Sequence, residues 1–117
     1  MSQDLQQYRW KNRIILLFAD APTNASLIAQ EQILASDPAG IHDRDLLRFD
    51  LVTGTQTDLD HSQLTRQYNP DGHSFLFVLI GKDGTVKRSQ ESPVSLQVLF
   101  DQIDSMSMRQ QEMRNRG

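Results

Sequence analysis

The chain reads as an α/β protein: a three-layer sandwich in which a βαβ unit and a following αββα unit build one mixed four-stranded sheet. Three observations predict it. Arg13 to Ala19 (RIILLFA) is a continuous apolar run with β-branched and aromatic members, which suits a central strand buried on both faces. Ser74 to Ile80 (SFLFVLI) and Thr85 to Ser89 flank Gly81-Lys82-Asp83-Gly84, and Asp-Gly between strand-like runs marks a tight hairpin. Helical segments separate these runs. The order strand, helix, strand, helix, hairpin, helix therefore combines parallel and antiparallel pairs in one sheet with helices on its faces.

Each element has a local cause. After the first strand, Asp20, Pro22, Thr23 and Asn24 supply turn and N-cap chemistry, because short side-chain oxygens accept from the open amides of a helix's first turn. A helix is predicted over Ala25 to Ser36, with Leu27, Ile28, Ile33 and Leu34 near one stripe. Asp37-Pro38 ends it, since the residue before proline is pushed out of the helical region. Asp45 to Val52 (DLLRFDLV) is the second strand, parallel to the first because a helical crossover joins them. Gly54 to Thr57 is polar and reads as loop. Asp58 or Asp60 can cap a short helix through Leu59, Leu64 and Tyr68, which ends at the turn cluster Asn69-Pro70-Asp71-Gly72. Ser92-Pro93 opens the last long helix, whose Leu96, Leu99, Phe100 and Ile103 form a core-facing stripe. Ser105 to Arg116 (SMSMRQQEMRNR) is mostly polar. It reads either as a further helical turn packed by Met106, Met108 and Met113 or as a frayed tail, so 1–117 is one domain with 107–117 a loosely packed C-terminal tail.

Composition narrows the function. A chain of 117 residues has room for one core and no second domain. Its formal charge of −3 argues against a nucleic-acid binder, whose footprint is a strongly basic face. Charge is uneven, however: Asp37 to Asp60 holds six acids against Arg44 and Arg48, while both ends are richer in Arg and Lys. The run Ile14 to Ala19 falls far short of the ~20 apolar residues of a membrane span, and Met1 to Gln7 lacks the features of a signal peptide. As written, the chain reads as cytoplasmic with no membrane partner. It contains no cysteine. Thiolate is the nucleophile of disulfide exchange and thiol peroxidase chemistry, so this chain performs neither.

From Tyr8-Arg9-Trp10-Lys11-Asn12-Arg13 through IILLFA, then FLFVLIGKDGTVKRS, then PVSLQVLFDQIDSMSMRQQEMR, nearly the whole chain resembles a thioredoxin-like, peroxiredoxin-like domain of unknown function. That domain is found in small bacterial proteins and in animal sushi-repeat and other extracellular matrix proteins, so the resemblance implies that some related proteins are exported. It implies the fold and assigns no biochemical role. One departure is Ser107, where proline is expected in relatives. In thioredoxins a strand ending Phe-Trp-Ala leads to Cys-x-x-Cys at a helix start. Here Phe18-Ala19-Asp20 leads to Thr23-Asn24-Ala25-Ser26, and hydroxyls stand where the resemblance places thiols. The proline that precedes the hairpin strand in thioredoxins also has no counterpart, because Phe75 to Phe77 occupies that stretch.

Thr23, Asn24 and Ser26 are the first candidate binding residues, since a helix N-terminus favours an anion; ordinary capping is the competing explanation. A serine nucleophile needs a base, and no motif places His42, His61 or His73 beside Ser26. Asp58, Asp60 and His61, and separately His42, Asp43 and Asp45, carry natural oxygen and nitrogen donors. Neither group repeats a known ligand spacing, so no metal or cofactor is implied. Lys82, Asp83 and Gly84 are explained by turn geometry, and His73 by its loop. Tyr8 and Trp10 among Arg9, Lys11 and Arg13 make either an exposed contact surface or, as the favoured reading, an N-terminal anchor with Trp10 packed beneath the first strand. Arg109 and Arg114 mark a basic C-terminal surface, and the nearby methionines suit either an adaptable contact or the core margin. The expected function is a redox-inactive domain that binds another protein, through Thr23 to Ser26 or the C-terminal segment. The alternative is a hydroxyl-based or anion-binding enzyme with its site near Ser26. Nucleic-acid contact through Arg109, Arg114 and Arg116 ranks last.

Overall fold

A computed structural model of the chain describes residues 5–53 and 61–115. Its sheet has strand order β2-β1-β3-β4, formed by β1 (Arg13–Ala19), β2 (Leu46–Val52), β3 (Phe75–Ile80) and β4 (Val86–Gln90). β1 pairs parallel with β2 and antiparallel with β3, and β3 pairs antiparallel with β4. All seven residues of β1 and all six of β3 are buried. Unbroken apolar runs therefore mark the two central strands, whereas β4, VKRSQ, is an edge strand with no fully buried residue.

Alternate residues of the central strands feed two cores. Ile15, Leu17, Phe77 and Leu79 face α1 (Ala25–Ala35) and α4 (Leu96–Asp104) through Leu27, Leu34, Leu99 and Ile103. Ile14, Leu16, Leu76 and Val78 face the other layer, where α3 (His61–Tyr68) adds Leu64 and the 3-10 turn Leu5–Tyr8 adds Leu5 and Tyr8. The hairpin turn is tight, with Gly84 at φ 84° and the Gly84 amide donating to the Gly81 carbonyl at 3.0 Å. Pairing slips by one residue between Leu79↔Arg88 and Ile80↔Val86, a bulge of the kind such loops carry.

Four expectations change. The crossover contains a second helix, α2 (Pro38–Asp43), in which Asp37 is the N-cap and Pro38 the first helical residue; Asp37-Pro38 thus starts a helix as well as ending one. On α1 the buried positions are Leu27, Gln30 and Leu34, while Ile28 is exposed. Gln30 lies on the core face because its amide donates to the Val94 carbonyl at 3.0 Å and accepts from the Val94 amide at 2.7 Å, a pairing that hydrophobic periodicity cannot signal. The last core helix begins later than Ser92-Pro93, at Leu96, with the Ser95 hydroxyl as cap. Finally, 107–115 take the helical of the two alternatives, as α5 (Ser107–Asn115), but not with the expected packing. Its anchors are Arg109, which is buried, and Glu112, whereas Met108 and Met113 are exposed. Ser107 is the first residue of α5, where proline's missing amide would cost nothing, so serine and proline are both compatible with the bend. The proposed caps Asp58 and Asp60, with Leu59 and the loop Gly54 to Thr57, lie outside the described residues.

Candidate functional site

β1 and β2 run parallel, so their carboxyl ends share one pole of the sheet and their amino ends the other. Open α/β sheets bind ligands at the carboxyl ends. There the structure brings Thr23, Asn24 and Ser26 together at the start of α1, with a cavity of about 270 Å³ nearby between Asp20, Thr53, Asn69 and His73.

Asn24 decides what this helix start can do. Its Oδ1 accepts from the amides of Ser26 at 2.9 Å and Leu27 at 3.2 Å, and its Nδ2 donates to Asp20 Oδ1 at 2.9 Å and to the Ser74 carbonyl at 3.0 Å. Amides that would receive an anion are therefore already engaged by a cap. The Ser74 carbonyl, just before the hairpin strand, also accepts from the Asp20 amide at 2.9 Å. Thr23 is exposed, and among the described residues no histidine or carboxylate hydrogen-bonds the hydroxyl of Thr23 or Ser26. His73 directs Nδ1 to Glu91 Oε1 at 2.9 Å instead. A nucleophile needs an adjacent base to be activated, and this geometry supplies none.

The amino pole holds an ionic cluster that sequence reasoning missed. Arg13, 1% exposed, donates to both oxygens of Glu112 at 3.3 and 3.1 Å and to the Arg44 carbonyl at 3.0 Å. Lys82, assigned above to turn geometry alone, is 8% exposed and bonds Asp45 at 2.9 Å and Glu112 at 2.7 Å. Arg109 is likewise corrected: it is not a surface contact but a buried side chain bonded to Asp43 at 2.6 Å and Asp104 at 3.0 Å. Arg44 adds a bidentate pair with Asp104 and lies 3.8 Å from the Phe100 ring centroid. Burial would raise the Glu112 carboxyl, yet hydrogen bonds from Arg13 and Lys82, with their charges, outweigh it and hold the pKa below its ordinary value. Asp104 is held low in the same way by Arg44 and Arg109 against the opposing effect of burial. The only sequence hint was Arg13, a cation heading an apolar strand. Its partners lie up to 99 residues away.

Trp10 corrects a second expectation. Tyr8 does anchor the N-terminal turn, 5.6 Å from Phe49 between ring centroids. Trp10, however, is 59% exposed and sits at φ 71°, with its amide donating to the Lys82 carbonyl at 2.6 Å. The Arg9 guanidinium lies 5.3 Å from its ring centroid, within cation–π range. Asp45, at φ 53°, is the other non-glycine residue in the left-handed region among the described residues. Both are tied to Lys82, one to its carbonyl and one to its ammonium. Arg114, on α5, is exposed. No described helix is long and apolar enough to cross a membrane.

The comparisons with known proteins agree with this architecture. A 2-Cys peroxiredoxin from Plasmodium vivax, solved in its reduced form, superposes with a TM-score of 0.65 over 92% of this chain and 84% of that one at 16% identity. That likeness shows a shared fold, the thioredoxin-like one. Coiled-coil domain-containing protein 80 from Danio rerio is 28% identical over 137 residues, which takes in 93% of this chain but 15% of the relative's length. The family defined by the domain of unknown function DUF4174 matches residues 4–112, and the chain belongs to that family.

Proposed function

We propose that this thioredoxin-like domain works by binding another protein, with the surface around Trp10 as its contact. The observation that carries the reading is Trp10 itself. A tryptophan held more than half exposed, on a backbone conformation that costs an L-residue about 1–2 kcal/mol, contributes little to the core, and tryptophan and arginine dominate interface hot spots. Arg9 and Lys11 flank it, both exposed, and Arg114 is a further exposed cation on α5, so an acidic partner surface is favoured. The absence of cysteine and the capped start of α1 both argue against turnover at the position where relatives of this fold do their chemistry.

Affinity capture from native extract, followed by binding measurements on the isolated partner, tests the reading. Trp10→Ala should weaken binding about tenfold or more, and Arg114→Ala by less, whereas Thr23→Arg at the start of α1 should leave it unchanged. Loss with Thr23→Arg alone moves the contact to the other pole. Capture of nothing refutes the binding reading. A chain truncated after Met106 is a poor probe, because it also removes Glu112 from beneath Arg13 and Lys82.

A further inference from the structure

We infer that the edge of the sheet along β2 is a self-association surface, on which a second copy of this chain adds its own β2 antiparallel to make one continuous sheet. It is distinct from the Trp10 surface, whose backbone is tied to Lys82 beyond β3.

β2 lies at one end of the sheet, and among the described strands it pairs with β1 alone. An edge strand offers a row of N–H and C=O groups to another strand, and natural edges often discourage that approach with charge. β2 does carry Arg48 and Asp50, with side chains 38% and 30% exposed. Their signs and spacing permit one register. Two identical strands related by a two-fold axis pair antiparallel, and because ladder groups alternate along a strand, the axis must pass through a residue. An axis through Arg48 sets arginine against arginine, and one through Asp50 sets carboxylate against carboxylate; both are unfavourable. An axis through Leu47 leaves Arg48 opposite Leu46, and one through Leu51 leaves Asp50 opposite Val52. Only an axis through Phe49 sets each Arg48 opposite the Asp50 of the other copy, giving two opposite-charge pairs by symmetry.

The other face of the strand agrees with that register. Phe49 then meets Phe49 and Leu47 meets Leu51, on the side where Phe49 and Leu51 join the core beneath α3, and aromatic and aliphatic cross-strand pairs are favourable. Burial disfavours the Asp50 carboxylate, and Arg48 of its own chain, 3.1 Å away, offsets this only in part. A guanidinium from the second copy adds to that offset. The opposite edge, β4, holds Lys87 and Arg88 and no carboxylate, so no register of β4 against itself pairs opposite charges. A seven-residue edge is small beside the ~800 Å² per partner of a standard interface, so the dimer is weak, with a Kd on the order of 100 μM.

Sedimentation equilibrium of the full chain from about 10 μM to 1 mM should show a monomer–dimer equilibrium. Arg48→Asp and Asp50→Arg each set like charges opposite one another, and each should weaken the dimer about tenfold. Mixed in equal amounts, the two variants regain opposite charges at both pairs and should associate within about threefold of the parent chain. Because the chain has no cysteine, Phe49→Cys places a single thiol at the axis, where facing Cα atoms lie ~4.5–5.5 Å apart, within reach of a disulfide. Oxidation should link two copies of that variant, and Val86→Cys on β4 should not link. A chain that stays monomeric throughout, charge variants that associate like the parent, or a mixture as weak as its components would overturn the inference. If Asp50→Arg does not fold, the cross-link decides: no linkage through Phe49→Cys, or equal linkage at both positions, overturns it.

Discussion

Replacing Glu112 by glutamine tests the claim that an ionic cluster, rather than an apolar stripe, docks α5. The carboxylate accepts from Arg13 at 3.3 and 3.1 Å and from Lys82 at 2.7 Å, and those two cations are 1% and 8% exposed. Removing one partner of a buried pair costs about 3–5 kcal/mol, because the other charge stays buried and uncompensated. Glutamine keeps one acceptor oxygen, so the lower end applies, about 3 kcal/mol. At roughly 4 °C per kcal/mol for a chain of this size, the melting temperature should fall by about 12 °C. Urea unfolding of both chains at pH 7 and at several acidic values is the assay. The pKa of Glu112 is lowered in the folded state from its ordinary 4.5. Its stabilisation is therefore fully present above the unfolded value and is lost as pH falls through the lower folded one. The gap between the two chains should be widest at pH 7 and narrow below about pH 4. A gap under about 1 kcal/mol at pH 7, or one that does not change with pH, would refute the reasoning.

Three further outcomes follow from single contacts. Gln30→Leu should cost about 2–4 kcal/mol in chemical denaturation, since the Val94 amide and carbonyl both lose their partner while leucine gains only apolar burial. Burial raises the Asp50 carboxyl, and the opposing charge of Arg48 does not cancel it. The ionised form is thus disfavoured by folding as pH rises through that raised value. Asp50→Asn should stabilise the chain at neutral pH by less than about 1 kcal/mol, and this gain should vanish in acid. Trp10→Gly should leave the melting temperature unchanged or raise it, by about 1 kcal/mol of stability at most, because glycine adopts φ 71° without strain and little packing is lost. A clear loss of stability in that variant would mean that Trp10 is a core anchor after all.

Local chemistry made the sheet legible. After Arg13, RIILLFA is apolar at every position, as is FLFVLI, because β1 and β3 are covered on both faces, and Asp83-Gly84 sits where a left-handed residue closes the hairpin. The stripe of Leu96, Leu99, Phe100 and Ile103 likewise matches the face that α4 turns to the core. The same chemistry misplaced Trp10, since aromatic character near a strand says nothing of which way a positive φ will turn it. It also missed α2, because Asp37-Pro38 is at once a helix stop and a capped helix start. At the candidate site, residue type suggested Thr23, Asn24 and Ser26, and only the fold disclosed that Asn24 already occupies the amides an anion would need.

By itself, then, the sequence determined the strand count, the hairpin and the exclusion of thiol chemistry, because each depends on residue identity within a window of a few positions. Tertiary structure alone decided that Arg13, Lys82, Arg109 and Glu112 form one buried cluster. The pairings of Arg13 and Lys82 with Glu112 and of Arg109 with Asp43 join residues 30 to 99 positions apart, and a charged side chain's burial depends on which partner the folded chain delivers to it.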